Sequence, residues 1–249
     1  MTISYWDTWS KNPKTEKTKL RVLKKLPTME CTKQLRKILS KIYKPKMKIL
    51  DFGCASGHYY LELNKLNKKL NYTGYDATKN YIQFAKKNFK ENPNTTFKVE
   101  SLMSKKKRIR DKFDIVYSCN VLLHLPEIDQ PIKNLLLRTK KYCIIRTLID
   151  NHTHLSHYLE KETFDKKGNP NYYTYQHTYS YDFIKRVVKK NGNYSVKFLD
   201  DEFNPKLINN EYRHITKKTK NGDSTKISND IQISGSKVFN WKWVIIKKK

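Results

Sequence analysis

Short apolar runs alternate with amphipathic segments along the first 150 residues of the chain. The runs that predict strands are centred on residues 49–50, 70–75, 96–99, 115–117 and 142–145. Apolar residues three and four positions apart predict helices at 32–43, 59–65, 79–89 and 132–139. Near-continuous apolar strands that alternate with helices are typical of parallel sheets covered on both faces. The pattern therefore predicts an α/β fold with right-handed crossovers.

The last third of the chain completes this sheet. Ser180 is placed to cap a helix over 181–190, and Gly192 follows its end. Two further apolar segments, 194–199 and 237–246, predict the last two strands. We therefore expect seven strands, mostly parallel, with the last one antiparallel.

A glycine-rich turn follows the first predicted strand. It reads D-x-G-x-A-x-G, with Asp51, Gly53, Ala55 and Gly57 at alternate positions, and a helix comes next. Glycine lets the backbone approach a ligand closely, and an open α/β sheet binds nucleotide-like ligands at such a turn. The spacing is neither the dinucleotide pattern G-x-G-x-x-G nor a phosphate loop. The turn is a candidate ligand loop, and a strand-turn-helix corner without a ligand is the alternative.

The net charge of +29 makes nucleic acid a partner to consider. Nearly all of the positive excess is lysine, whereas arginine is the residue suited to bidentate contacts with bases and phosphates. The lysines are also spread along the whole chain. We interpret them as a solvated surface that would still attract acidic ligands, so nucleic acid is possible but not favoured.

Cysteine usage and the absence of long apolar stretches suggest the compartment. The four cysteines show no C-x-x-C spacing and are typical of reduced core thiols. The first residues lack the apolar run of a signal peptide, and no stretch approaches the roughly 18 apolar residues of a membrane span. We therefore expect a cytoplasmic protein without a membrane span.

Three spacings together resemble one family. The glycine turn at 51–57 is followed by an acid, Asp76, that ends the second strand, and about forty residues later by FDIVYSCNVLLHLP at 113–126. Over residues 45–146 this resembles the class I S-adenosylmethionine-dependent methyltransferases, in particular those acting on small molecules, lipids and sugars. The resemblance implies a Rossmann-like fold, S-adenosylmethionine as cofactor and methyl transfer to a small acceptor.

The resemblance also implies a set of cofactor-binding residues. Asp76 would accept hydrogen bonds from the ribose hydroxyls, Glu100 would approach the adenine amino group, and Asn120 lies where the methyl group is presented. Ala55 stands where the family often has glycine. The full set is Asp51, Gly53, Ala55, Gly57, Tyr75, Asp76, Glu100, Ser101, Leu102, Cys119 and Asn120.

The division of the chain follows from the same resemblance. We expect one domain over 1–249, with N-terminal helices and a lid at 1–44, in which Tyr5 or Trp9 could cover the cofactor. The cofactor-binding core would be 45–146, the substrate loop 147–180, and the C-terminal helix and strands 181–249.

Candidate catalytic groups are histidines. His124, in the last of the three motifs, could be a general base or a packing residue, because histidine titrates near pH 7. The loop 147–180 is rich in histidine and tyrosine, and His152 and His154 are its candidates. Aromatic faces with polar tips suit a sugar or glycan precursor, to be methylated at a hydroxyl or amine.

Other interpretations stay open. No metal is expected, since Asn120 stands where metal-dependent relatives need an acid and the histidine cluster lacks a complementary ligand pair. Methylation of RNA or another nucleic acid is one alternative function, and a non-catalytic cofactor-binding protein is another. The oligomeric state is not predicted.

Overall fold

The computed structural model describes residues 14–105, 109, 111–159, 164–170, 173–202, 226–228, 231–234, 237–238 and 240–249. Tyr5 and Trp9, proposed above as a lid, lie outside these residues. Among the described residues, no helix combines the length and apolar character that crossing a bilayer requires.

Strands and helices alternate through the first 150 residues, as expected. The helices are Lys14–Val22 (α1), Glu30–Ser40 (α2), His58–Leu63 (α3), Lys79–Asn88 (α4), Asp129–Arg138 (α5) and Tyr181–Lys190 (α6), with a 3-10 turn at Leu122–His124. The first five strands are Lys48–Phe52 (β1), Asn71–Asp76 (β2), Thr95–Val99 (β3), Phe113–Cys119 (β4) and Thr139–Asp150 (β5). The later strands are His157–Tyr158 (β6), Thr174–Tyr175 (β7), Tyr179–Ser180 (β8), Tyr194–Asp200 (β9), Lys226–Ser228 (β10), Ile231–Ser234 (β11), Lys237–Val238 (β12) and Trp241–Lys248 (β13).

The main sheet has the order β3-β2-β1-β4-β5-β13-β9, and β8 pairs with the end of β5. Strands β1 to β5 are parallel to one another, and β13 is antiparallel to both of its neighbours. This confirms the predicted Rossmann-like sheet with an antiparallel last strand. Because β1 to β5 run in parallel, their first residues meet at one edge of the sheet, the amino edge, and their last residues at the other, the carboxyl edge.

Helices cover both faces of this sheet. On one face, α5 and α6 pack Ile132, Leu135, Ile184 and Val188 against the strands. On the other face, α2, α3 and α4 bury a cluster that includes Leu35. The apolar positions that predict each helix are buried or partly buried, so the 3.6-residue period identifies the core-facing side.

Two strands differ in extent from the prediction. β5 begins at Thr139 and runs to Asp150, although the apolar run marks only 142–145; residues 142–148 pair with β13, which supplies backbone hydrogen bonds that local sequence does not reveal. The predicted strand 237–246 is two elements. Lys237–Val238 belongs to a small sheet with β10 and β11, and the main-sheet strand begins at Trp241.

The segment 147–180 is a small substructure. β6 and β7 form an antiparallel pair, and an isolated bridge joins His154 to Thr178. The backbone N–H of His177 donates to the carbonyl of Leu123, so this pair, here called the hairpin (the described residues 154–159, 164–170 and 173–178), docks on the 3-10 turn after β4.

Candidate active site

A cavity of about 420 Å³ opens at the carboxyl edge of the sheet, where ligands bind in open α/β folds. Its volume lies within the roughly 300–1,000 Å³ typical of small-molecule sites. Eight of the predicted site residues line it: Gly53, Ala55, Asp76, Glu100, Leu102, Cys119, Asn120 and His124. Asp51, Gly57, Tyr75, Ser101, His152 and His154 are not among the lining residues.

The glycine turn depends on glycine at two positions. Gly53 has φ 91° and Gly57 has φ 80°, a region that other residues rarely adopt. A Cβ atom at Gly53 would lie 2.4 Å from Val121 Cγ2, and one at Gly57 would lie 2.8 Å from a ring carbon of Phe97. Packing of the turn against its neighbours therefore requires these glycines. Ala55, at φ 47°, adopts the left-handed conformation despite its methyl group.

Asp76 connects the glycine turn to the end of β2. Its Oδ2 accepts a hydrogen bond from the Ala55 N–H at 2.9 Å, and its Oδ1 accepts one from the Thr78 N–H at 2.8 Å. Burial raises the pKa of the carboxyl, although these hydrogen bonds favour the charged form. Asp76 therefore orders two turns and also faces the cavity.

Asp51 and Tyr75 support the site from beneath it. The buried Asp51 carboxylate accepts a hydrogen bond from the Tyr72 hydroxyl at 2.7 Å, and burial raises its pKa to about 7. The carbonyl of Tyr75 accepts hydrogen bonds from the N–H groups of Gly53 and Cys54. The Tyr75 side chain points elsewhere, because its hydroxyl donates to Asp111 at 2.9 Å in a separate groove.

The segment after β3 forms the wall beside Asp76. The Glu100 N–H donates to the Asp76 carbonyl, which ties the two acids together through the backbone. The Glu100 carboxylate lies 3.6 Å from the guanidinium of the buried Arg138. Ser101 uses its hydroxyl to accept from the Met103 N–H, and Leu102 is buried. Glu100 and Leu102 thus face the cavity, and Ser101 shapes the turn behind them.

The end of β4 is held by an arginine. Asn120 has φ 60°, and its N–H donates to the carbonyl of Arg146. Its Oδ1 accepts from Arg146 Nη1 at 2.5 Å, while Nε and Nη2 of the same guanidinium bind Asp201 at 2.9 and 2.8 Å. Arg146 also stacks on Trp241. Burial raises the pKa of the neighbouring Cys119 thiol, so this sulfur stays protonated.

His124 lines the cavity from the 3-10 turn. Its Nδ1 lies 2.9 Å from the carbonyl oxygen of Tyr175 in the hairpin. A carbonyl oxygen only accepts hydrogen bonds, so Nδ1 carries the proton and the lone pair of the neutral ring is on Nε2. The hairpin therefore sets the tautomer of His124.

The other predicted histidines lie on the hairpin side. His152 and His154 are exposed, and the backbone of His154 pairs with Thr178. The structure thus connects the loop 147–180 to the cavity through the backbone of Tyr175 and His177. Catalytic roles for the His152 and His154 side chains stay predictions.

His58 and Arg21 are among the cavity residues that the sequence analysis missed. His58 begins α3 just after the glycine turn, and burial, followed by the nearby charge of Arg21, lowers its pKa to about 3. Both ring nitrogens of His58 and the Nε of Arg21 are buried without a hydrogen-bond partner in the described part of the chain. The position of His58 after Gly57 was a usable signal; Arg21 reaches the cavity only because α1 packs across it.

Comparisons with known proteins identify the family. Residues 43–242 match the methyltransferase domain family, and no curated protein matches the sequence. The fold is similar to magnesium protoporphyrin IX methyltransferase (ChlM) from Synechocystis PCC 6803 with bound SAH: TM-score 0.54, 16% identity, 88% of this chain and 83% of that one. The methyltransferase domain of bacterial CtHen1-C is also similar, with a TM-score of 0.55 and 18% identity; the match covers 88% of this chain and 97% of that one. The [4+2]-cyclase SpnF is similar with a TM-score of 0.58 and 14% identity; the match covers 87% of this chain and 81% of that one. The chain belongs to the methyltransferase domain family and has the class I methyltransferase fold.

Proposed function

We propose that the protein transfers the methyl group of S-adenosylmethionine to a small acceptor bound in the carboxyl-edge cavity. The observation that carries this proposal is the convergence of Gly53, Asp76, Glu100 and Asn120, from four different strand ends, on one cavity. The cofactor supplies an electrophilic methyl group on a sulfonium. The protein's own task is alignment and exclusion of water, and alignment alone supplies much of the acceleration in such displacements.

The polar groups of the cavity fit this cofactor. Asp76 would accept hydrogen bonds from the ribose hydroxyls, and Glu100 would accept one from the adenine amino group. The single N–H of the neutral His58 ring and the Nε–H of Arg21 would donate to the carboxylate of the amino-acid end, since a buried donor without a partner is costly unless a ligand satisfies it. Arg21 belongs to α1, so α1 would cover the bound cofactor as part of the expected lid.

His124 is the proposed general base. Its Nδ1 proton is engaged by the Tyr175 carbonyl, so Nε2 is the nitrogen that would accept a proton from the acceptor's hydroxyl or amine. Asn120, fixed by Arg146, would orient that acceptor at the end of β4. A positioned base of this kind contributes about 10²–10⁴-fold in rate.

A sugar or glycan precursor is the acceptor class we favour. The support is the aromatic hairpin, in which Tyr158 and Tyr173 are exposed, and whose Tyr175 carbonyl contacts the His124 ring. Aromatic rings pack well against the apolar faces of hydroxylated rings. A cytoplasmic setting is part of the proposal, and all four cysteines are free and buried.

The cofactor assignment is tested by binding. S-adenosylmethionine and its demethylated product should bind with dissociation constants in the micromolar range, roughly −7 to −8 kcal/mol. A hundredfold excess of product over its dissociation constant should then stabilise the fold by about 2.7 kcal/mol, which is measurable as a rise in Tm. No calorimetric heat and no thermal shift with either compound would refute the proposal.

The role of His124 is tested with His124→Asn. The Asn amide can still donate to the Tyr175 carbonyl, but it offers no base at the position of Nε2. With a radiolabelled methyl donor and a panel of monosaccharides and nucleotide sugars, turnover should fall at least about 100-fold. Product affinity should stay within about 0.5 kcal/mol of wild type.

The matched control is His152→Asn, an exposed histidine of the same loop. It should change the turnover far less than His124→Asn does. If His124→Asn methylates the acceptor at the wild-type rate, His124 is a packing residue. If only the control variant loses activity, the base lies in the loop.

A further inference from the structure

Lysines that are distant in sequence meet at the amino edge of the sheet. Residues Lys48, Lys112 and Lys140 lie at or next to the starts of β1, β4 and β5, and the register aligns these starts. β13 is antiparallel, so its end arrives at the same edge, where Lys247 pairs with Tyr142. The resulting basic edge consists of exposed lysines from five chain segments: Lys46, Lys48, Lys68, Lys69, Lys112, Lys140, Lys247 and Lys248.

A groove of about 530 Å³ runs into this edge beneath β2 and β3. Its floor is polar, because Thr73 and Thr96 occupy positions on the sheet face. Four lysines, Lys48, Lys98, Lys112 and Lys140, line it. No described helix lies between β3 and β4, so this part of the sheet face is left as a groove.

Few carboxylates lie at the groove, and those present already have ion-pair or hydrogen-bond partners. Asp111 lies 3.6 Å from Lys98 and accepts from the Tyr75 hydroxyl, and Asp114 accepts from the backbone N–H of Lys48. Within the described part of the chain, the ammonium groups of Lys48, Lys112 and Lys140 form no ion pair. The groove therefore keeps a local excess of positive charge.

We propose that the basic edge binds the phosphate backbone of a nucleic acid without sequence preference. Phosphates would replace water around ammonium groups that have no ion-pair partner among the described residues, and the counterions released from the backbone would drive the association. The lining aromatics Tyr75 and Phe113 are buried, so bases have no exposed ring to stack on in this groove. Lysine contacts of this kind carry no sequence information.

The site is separate from the methyl-transfer cavity. The cavity lies at the carboxyl edge, whereas the groove extends along the sheet face from the amino edge to Tyr75 and Lys98 in the later parts of β2 and β3, and the two share no lining residue. The bound polyanion is therefore an anchor for the enzyme and not its methyl acceptor. A polar concave groove accommodates a single chain of phosphates, whereas a flat bilayer surface cannot enter it, and this favours nucleic acid over an anionic membrane.

The test is fluorescence anisotropy of the full chain with a labelled single-stranded RNA of about 20 nucleotides. Lys48→Gln, Lys112→Gln and Lys140→Gln are combined in one variant. Log affinity falls with log salt with a slope of about −0.7 for each phosphate contact on a single strand. The variant loses three such contacts, so the magnitude of its slope should be smaller by about 2. At about 0.1 M salt its affinity should fall at least tenfold.

The matched control combines Lys79→Gln, Lys166→Gln and Lys167→Gln, which removes the same charge from exposed lysines away from the basic edge. It should retain wild-type affinity and slope. An equal loss in both variants would overturn the proposal, because the attraction would then be diffuse. Binding to vesicles with phosphatidylserine but not to RNA would overturn it in favour of a lipid surface. Thermal shift with the demethylated cofactor shows that each variant is folded, and its outcome is independent of RNA binding.

Discussion

Two acids near the glycine turn illustrate how much depends on single side chains. Asp51 is buried and Asp76 is half-buried at the cavity wall, and desolvation raises the pKa of each carboxyl. Their differences lie in their partners. Asp51 receives a hydroxyl hydrogen bond beneath the turn, whereas Asp76 receives two backbone N–H bonds at the cavity wall. We therefore expect Asp51 to affect mainly stability and Asp76 mainly ligand binding.

Asp51→Asn should change how stability depends on pH. The folded-state pKa of about 7 lies above the unfolded value of about 3.9, so between these values the folded protein holds a proton that the unfolded chain has released. The contribution of Asp51 to stability is therefore present below about pH 4 and is lost as pH rises toward 7. Asn does not titrate and can still accept from the Tyr72 hydroxyl.

The variant should therefore gain stability relative to wild type as pH rises, with a limiting slope of about 1.4 kcal/mol per pH unit. Urea unfolding at several values between pH 4 and 8 measures this difference. Asp150→Asn, at an exposed carboxylate, is the control for the change of charge. A constant difference between Asp51→Asn and wild type across this range would contradict the assignment.

Asp76→Ala should weaken binding of the demethylated cofactor by about 1.5–3 kcal/mol, the usual loss for hydrogen bonds to a charged group. The reason is its proposed contact with the ribose diol, in addition to its two turn hydrogen bonds. Calorimetry gives the affinity, and circular dichroism establishes that the variant is folded. Unchanged affinity in a folded variant would mean that Asp76 only orders the turns; Asp150→Ala serves as the control.

At the scale of elements, the ends of helices and strands decide what reaches the site. The hairpin docks on the 3-10 turn through the Leu123 carbonyl, and the same contact region fixes the ring of His124. α6 follows the hairpin directly, and its first turn packs beside β8 through Tyr179 and Phe183. The start of α6 therefore anchors the C-terminal end of the hairpin.

Ser180→Ala should destabilise the protein by about 1 kcal/mol, because the Ser180 hydroxyl accepts a hydrogen bond from the Phe183 N–H at 3.1 Å. Ser180→Asp is the matched control, since aspartate is an equally good N-cap and should keep the stability within a few tenths of a kcal/mol. The midpoint of urea unfolding measures both. Equal losses in the two variants would show that the cap contributes nothing and that another role of Ser180 is responsible.

At the scale of the whole molecule, the charge of +29 acts on the stability of the compact state. Many lysines have no carboxylate nearby, and like charges within roughly a Debye length repel each other. Folding brings them closer than they are in the extended chain. The basic edge is the place where the fold concentrates this repulsion.

Added salt should therefore stabilise the protein. Raising KCl from about 0.02 to about 0.3 M shortens the Debye length severalfold, so Tm should rise over this range and then level off. The basic-edge triple variant should show a smaller rise than the Lys79, Lys166 and Lys167 control variant. A Tm that falls with salt over the same range would show that attractive ion pairs outweigh the repulsion.

The sequence by itself determined the class of fold and the outline of the cofactor site. Apolar periodicity is a local property, and here it identifies the buried sides of the helices and the five parallel strands. The glycine turn is also local, because positive φ at Gly53 and Gly57 excludes most other residues. Asp76 ends β2, and Asn120 directly follows the end of β4. These two strand ends lie at the carboxyl edge in any parallel sheet with this order, so both residues could be predicted to lie at one site.

The tertiary structure alone decided which side chains face the cavity and which face the groove. Tyr75 is in the expected strand, but its hydroxyl donates to Asp111, thirty-six residues away, so the side chain faces the groove and not the cavity. Arg21 lines the cavity because α1 crosses it. The tautomer of His124 is set by a hydrogen bond to the carbonyl of Tyr175, fifty-one residues away. The lysines look dispersed along the chain and become a basic edge only when parallel pairing aligns the strand starts. Each of these contacts depends on long-range packing, which no local pattern in the sequence encodes.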